Sequence, residues 1–342
     1  MHGDEDIRCE DVPQPEVSRG EVKVRVRATG ICGSDVPRVF NHTSFFYPII
    51  LGHEFAGEVA EVGEGVTSVK VGDRVAGAPL VPCMKCADCL KGNYAPCKDY
   101  SFMGSKQQGS MAEYIVMPEM CAVPYGEGIS FEQAAMFEPA TVGIHALFCA
   151  GYQGGGNVAI MGGGTIGLFV LQWARLFGAK TVTVFDIDNE RLEFLKGYGA
   201  DVTVNTKEEG YYEAAMGVTG GSGFDFVFET AGQPFTMNLA FRIAGVKSSV
   251  CFVGTPHTDL TFSPLTWELM NRKEFRLTGS WMSYSAPYPG KEWSLVAHHL
   301  AKGELRIGSD LIYRTYPLSE AREAFMNFKH GPVRGKVILT NG

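Results

Sequence analysis

The segment Gly162-Gly163-Gly164-Thr165-Ile166-Gly167 constrains the architecture more than any other part of the chain. It follows a short apolar run, Val158-Ala159-Ile160-Met161, and opens a stretch from Thr165 to Phe177 that is apolar, helix-length and stopped by Gly178. A glycine-rich turn between a buried strand and a helix is the setting in which a dinucleotide binds. Gly162 permits the tight turn, Gly164 lets the backbone approach a pyrophosphate, and Gly167 allows close helix–strand packing. The helix N-terminus, at Thr165 and Ile166, then faces the negative charge. Asp186 lies nineteen residues beyond Gly167, after a predicted strand Thr181 to Phe185. There a carboxylate accepts hydrogen bonds from the adenosine ribose hydroxyls and repels a 2'-phosphate, so the expected cofactor is NAD and not NADP. Arg191, on the helix predicted after Asp186, is either a support for a phosphate or a solvated residue flanking the adenine.

With 342 residues, 45% of them hydrophobic and 20% charged, the chain is too long for one ordinary core and suits two. Residues 20 to 125 read as short strands and turns. Val22, Val24 and Val26 alternate with Lys23, Arg25 and Arg27, and Ala56 to Gly63 and Val71 to Val75 form a glycine-turned meander. After about residue 130 apolar strands alternate with helices, at 158–161, 181–185, 202–204, 224–228 and 249–253, which predicts a parallel, doubly wound sheet. A helix from Lys291 to Lys302 and a strand from Lys336 to Leu339 are expected to return to the first domain. The apolar segment from Ser249 to Gly254 reads either as an edge for subunit pairing or as a buried strand. The formal charge of -8 argues against a nucleic-acid backbone as partner, and a small molecule fits better. No apolar run approaches the roughly 20 residues that cross a bilayer, and the acidic opening Met1-His2-Gly3-Asp4-Glu5-Asp6 is unlike a signal peptide, so a cytoplasmic location is expected.

Four of the nine cysteines, Cys83, Cys86, Cys89 and Cys97, fall within fifteen residues, at spacings that a loop can wrap tetrahedrally around Zn²⁺. Four thiolates leave no open position, so this site reads as structural. An iron–sulfur cluster also takes four Cys, but no second cluster motif accompanies it. Cys9, Cys121, Cys149 and Cys251 read as dispersed packing residues. Cys32, His53, Glu54 and Glu138 supply one thiolate, one imidazole and two carboxylates, the donor set of an open catalytic zinc. Singly, each is more often a packing, hydrogen-bonding or turn residue, and spacing cannot join them across a hundred positions.

A resemblance joins them. The order Cys32-Gly33-Ser34, Gly52-His53-Glu54, the four-cysteine segment, Glu138-Pro139 and the glycine loop is similar to that of the zinc-containing medium-chain dehydrogenase/reductase family. Glu54 and Glu138 with a single cysteine resemble its polyol, sorbitol-type branch. The segments Cys32 to Arg38, Tyr47-Pro48-Ile49 and Gly279 to Tyr284 resemble a member acting on a sugar alcohol phosphate. The resemblance implies an α/β chain with a GroES-like β domain from residues 1–127 and 291–342, a Rossmann domain from 128–290, and an active site in the cleft. It also implies a homodimer or homotetramer and an opening strand that this chain lacks before Met1. Two zinc ions are then expected, one held by Cys32, His53, Glu54 and Glu138 and one by Cys83, Cys86, Cys89 and Cys97, with Ser34 passing on the alcohol proton.

The expected activity is oxidation of a secondary hydroxyl of a sugar alcohol phosphate by NAD. Competing readings are a dehydrogenase of sorbitol or xylitol, of L-threonine or of a secondary alcohol, and a non-catalytic, crystallin-like NAD-binding protein. Arg38 and Lys291 are candidate phosphate ligands, and Trp281 and Tyr284 candidate pocket residues.

Overall fold

The valine alternation produces β1 (Glu21–Gly30), whose Val22, Val24 and Val26 are fully buried. In the computed structural model, which describes residues 1–331 and 333–342, this long strand organises the first of two units, Met1–Glu138 with Tyr284–Gly342. After β1 come α1 (Asp35–Phe40), β2 (Glu54–Val62), β3 (Arg74–Gly77), β4 (Leu80–Val81), α2 (Ala87–Leu90), β5 (Ser101–Phe102), β6 (Tyr114–Pro118), β7 (Ala122–Pro124) and α3 (Phe131–Ala134). The helix α4 (Phe137–Cys149) starts in this unit and leads into the second, Pro139–Ser283.

The second unit holds β8 (Asn157–Met161), α5 (Thr165–Leu176), β9 (Thr181–Asp186), α6 (Asn189–Lys196), β10 (Val202–Asn205), α7 (Tyr211–Val218), β11 (Phe224–Glu229), α8 (Pro234–Ile243), β12 (Ala244–Phe252), α9 (Pro264–Lys273) and β13 (Arg276–Gly279). Its six strands run parallel in the order β10-β9-β8-β11-β12-β13. Counted from β8 this is 3-2-1-4-5-6, the doubly wound order in which the first strand and its following turn lie at the reversal. Helices on such a sheet bury both faces, so its strands are almost continuously apolar. Met161, Phe185, Phe224, Val227 and Phe241 meet in that core.

The chain then returns to the first unit through α10 (Lys291–Ala301), β14 (Ile312–Pro317), α11 (Ala321–His330) and β15 (Lys336–Thr340). The sheet there has the order β14-β15-β1-β2-β3-β7, with β6 also paired to β1. Gly30 is in register with Glu54 of β2 on one side and Ile338 of β15 on the other. That register brings the ends of three segments, distant in sequence, to one place.

Three differences from the sequence expectation stand out. The units meet at 138/139 and 283/284, not at 127/128 and 290/291, because α3, the start of α4 and residues 284–290 pack with the first unit. The Ser249–Gly254 segment is no edge: β12 is flanked by β11 and β13 and is mostly buried, and β13 is the border strand. The helix after Asp186, whose pattern predicts a span from about Asn189 to Tyr198, ends at Lys196, capped by Gly197. Among the described residues, no helix is long and apolar enough to cross a membrane.

Candidate metal centre and nucleotide loop

Cys32 follows β1 at the mouth of α1, His53 precedes β2 and Glu54 opens it, so the β1·β2 pairing delivers all three. Their ligand atoms lie within 4.8 Å of one another. The turn into His53 is made by Gly52 at φ +96°, a conformation that suits glycine. Asp35, fully buried, accepts from the Cys32 amide at 3.2 Å and faces His53 Nδ1 at 3.5 Å. The buried Nδ1 has no well-formed hydrogen bond, and a carboxylate behind one ring nitrogen orients the other toward a metal. Burial opposes the His53 imidazolium, but Asp35 and Cys32 outweigh it and hold the ring well above its ordinary pKa. A half-buried thiol converging on one point with a buried imidazole and a buried carboxylate fits zinc.

Glu138, the second residue of α4, is not among the three converging donors. Burial and the nearby Glu54 push its carboxyl up to about 7, against the pull of His53 and Lys336, so it belongs to the same buried charge cluster. Lys336 is the residue sequence reasoning missed. Its ammonium lies 2.6 Å from Glu54 Oε2 and 2.8 Å from Oε1, with both side chains buried. A Cβ on Gly30 would lie 2.5 Å from Glu54 Oε2 and 3.2 Å from Lys336 Cδ, so Gly30 is the space that this pair occupies. The only sequence signal was a lysine opening an apolar strand.

Of the four expected substrate residues, Arg38 and Tyr284 are engaged in contacts of the first unit, and Trp281 and Lys291 are exposed. Arg38 Nη1 donates to the Ser34 carbonyl at 2.9 Å, to Ser34 Oγ at 3.2 Å and to Asp35 Oδ1 at 3.1 Å, so its guanidinium is turned inward onto its own helix. Ser34 Oγ in turn points at Cys32 Sγ, 3.4 Å away. Tyr284 is core: it is buried, its hydroxyl accepts from the Leu80 amide at 3.0 Å, and its ring stacks on Tyr288. Trp281 is exposed on the second unit and Lys291 opens α10 on the surface of the first.

The second cluster is closed. Cys83, Cys86, Cys89 and Cys97 converge within 4.8 Å, with Cys83–Cys89 and Cys86–Cys97 sulfur separations of 3.9 and 3.8 Å. Amides of Cys83, Cys86 and Cys89 donate to sulfurs at 3.3–3.5 Å, so the backbone is already wound for four thiolates. Burial and neighbouring sulfurs push Cys89 up to about 12, while backbone amides bring Cys83 down to about 7. A divalent cation relieves that conflict.

In the second unit the glycine loop joins β8 to α5. A Cβ on Gly167 would stand 1.9 Å from the Gly162 carbonyl, and Gly162 has φ +92°, whereas a Cβ on Gly164 would meet nothing. Two glycines therefore serve packing and turn, and the third leaves open space at the start of α5. Asp186 Oδ2 accepts from the Gly163 amide at 2.6 Å and Oδ1 from the amides of Ile187 and Asp188. Arg191 donates to the Gly163 carbonyl and lies over the Phe194 ring, so it braces the loop. The open backbone at Gly164 and the carboxylate at the end of β9 fit a dinucleotide.

The chain matches the alcohol dehydrogenase GroES-like domain over residues 18–127 and the zinc-binding dehydrogenase family over residues 165–299. It is 39% identical over 334 residues to galactitol 1-phosphate 5-dehydrogenase of Escherichia coli (strain K12), covering 97% of this chain and 96% of the relative. The crystal structure of galactitol-1-phosphate dehydrogenase from Escherichia coli superposes with a TM-score of 0.95 at 38% identity, covering 99% of this chain and 98% of that one. A zinc-binding dehydrogenase from Sinorhizobium meliloti 1021, bound to NADP, superposes with a TM-score of 0.89 at 29% identity, covering 98% and 96%. The chain belongs to the zinc-dependent medium-chain alcohol and polyol dehydrogenase family, built from a GroES-like and a Rossmann-type domain.

Proposed function

We propose that this chain is a cytoplasmic, zinc- and NAD-dependent polyol phosphate dehydrogenase that oxidises galactitol 1-phosphate to tagatose 6-phosphate, working as a homodimer or homotetramer. The observation that carries the reading is the convergence of Cys32, His53 and Glu54 donors within 4.8 Å, beside a sequence likeness to galactitol 1-phosphate 5-dehydrogenase. When bound, zinc supplies Lewis acidity at the substrate oxygen and NAD accepts the hydride.

The chain's own residues set the geometry. Cys32, His53 and Glu54 hold the metal, joined by Glu138, and Lys336 fixes the Glu54 carboxylate. Ser34 Oγ receives the alcohol proton, held in place by Arg38. The secondary alcohol loses a hydride from carbon and a proton from oxygen, giving the ketone, NADH and one proton. Gly162, Gly164, Thr165, Ile166 and Gly167 form the pyrophosphate cradle, and Asp186 takes the ribose hydroxyls. The Asp186 carboxylate repels a 2'-phosphate and Arg191 already serves the loop, which supports NAD over NADP. Cys83, Cys86, Cys89 and Cys97 hold the second, structural zinc.

The test is reduction of NAD and NADP by zinc-loaded protein with galactitol 1-phosphate, sorbitol, L-threonine and simple secondary alcohols side by side. The highest kcat/KM is expected with galactitol 1-phosphate and NAD. A higher value for any unphosphorylated alcohol, or for NADP, would overturn that part of the reading. Cys32→Ala is expected to abolish turnover while NAD still binds.

A further inference from the structure

The proposed substrate carries a phosphoryl group, and two cations beside the metal donors are already committed, Arg38 to Ser34 and Asp35 and Lys336 to Glu54. A phosphoryl group several bonds from the oxidised carbon needs its receptor beside the metal site, not in it. Lys106 stands there. Resting on the reading above, we propose that Lys106 is the cation that receives the phosphoryl group of the substrate.

Residues 102–109 form a loop strapped to the segment that carries His53. Gln108 Oε1 accepts from the Ile50 amide at 2.6 Å and its Nε2 donates to the Pro48 carbonyl at 3.3 Å. The amides of Gly109 and Ser110 donate to the carbonyls of Ile50 and Gly52 at 2.8 and 3.0 Å. The approach is close enough that a Cβ on Gly104 or Gly109 would lie 2.4 or 2.3 Å from the Gly52 carbonyl oxygen. At the start of the loop the Phe102 ring packs edge-on against the His53 imidazole, centroids 5.4 Å apart. The Phe102 carbonyl accepts from the Lys106 amide at 2.9 Å. One tight turn therefore separates Lys106 from the ring that touches a metal donor.

The ammonium itself is positioned but not neutralised. Lys106 Nζ sits 3.6 Å from the Tyr100 ring centroid and 6.0 Å from that of exposed Phe45, and reaches the Tyr100 carbonyl at 3.5 Å. Among the described residues it forms no ion pair with a carboxylate. Aromatic faces hold a cation in place without cancelling its charge. A phosphoryl dianion, accepting charge-assisted hydrogen bonds, is the ligand that completes such a site.

The experiment compares wild type, Lys106→Met and Lys106→Arg, all zinc-loaded. The first readout is the ratio of kcat/KM for galactitol 1-phosphate to that for galactitol. The second is calorimetric titration with inorganic phosphate. The ratio is expected to fall about 10- to 100-fold in Lys106→Met, mainly through KM, and to recover in Lys106→Arg, with phosphate binding weakened in parallel. An unchanged ratio in Lys106→Met overturns the assignment. If wild type does not favour the phosphorylated alcohol at all, the substrate reading fails, and the titration then decides for Lys106. Equal phosphate affinity in wild type and Lys106→Met overturns the assignment, and weaker affinity in Lys106→Met keeps it as the receptor for another phosphorylated alcohol.

Discussion

Lys336 and Glu54 face each other where neither reaches water, at 6% and 1% side-chain exposure. Burial lowers the affinity of the Lys336 amine for its proton, but the facing Glu54 and Cys32 more than restore it. Removing one partner strands the other charge in a dry site, at a cost of about 3–5 kcal/mol. Lys336→Met is therefore predicted to lose about that much stability in urea unfolding, and a loss below about 1 kcal/mol would contradict the buried pair. None of this was legible in the sequence. The partners stand 282 residues apart, and a lysine at the head of an apolar strand reads as a solvated terminus. Cys32, His53 and Glu54 were legible only as separate residues until a resemblance joined them. Arg38 was visible as a cation near the right place, but the direction of its side chain, inward onto Ser34, is decided by the hydrogen bonds of α1.

The cysteine lobe shows the opposite case at the scale of an element. Its four donors lie in one short segment, so spacing alone revealed a site, and α2 with its Cys86 cap supplies the winding. Filling it requires displacing protons from Cys89 and Cys97, whose thiols burial has raised, so metal affinity falls as pH falls. Zinc release to a chromogenic chelator is predicted to be faster at pH 6 than at pH 8, and Cys89→Ser to melt at lower temperature. Equal release rates and an unchanged melting temperature would contradict the structural role. Glycine loop and first strand were legible for the same local reason. The strand β14 and helix α11 were not, because β14 buries only Tyr316 among its six residues and shows no alternation, and α11 buries only Ala324 and Phe325.

At the scale of the whole molecule, the alternation of apolar strands and helices after residue 130 was enough to foresee a parallel sheet, since crossover helices force burial of both its faces. The joins between units were less legible, because α4 runs through one of them and residues 284–290 carry tyrosines that pack on β4. One unit carries both clusters of metal donors and the other carries the nucleotide loop. The most direct test is the zinc content per chain of purified wild type, Cys32→Ala and Cys89→Ser proteins. Two ions are predicted in wild type and one in each variant. Two ions retained in Cys32→Ala would show that Cys32, His53 and Glu54 do not form the metal centre.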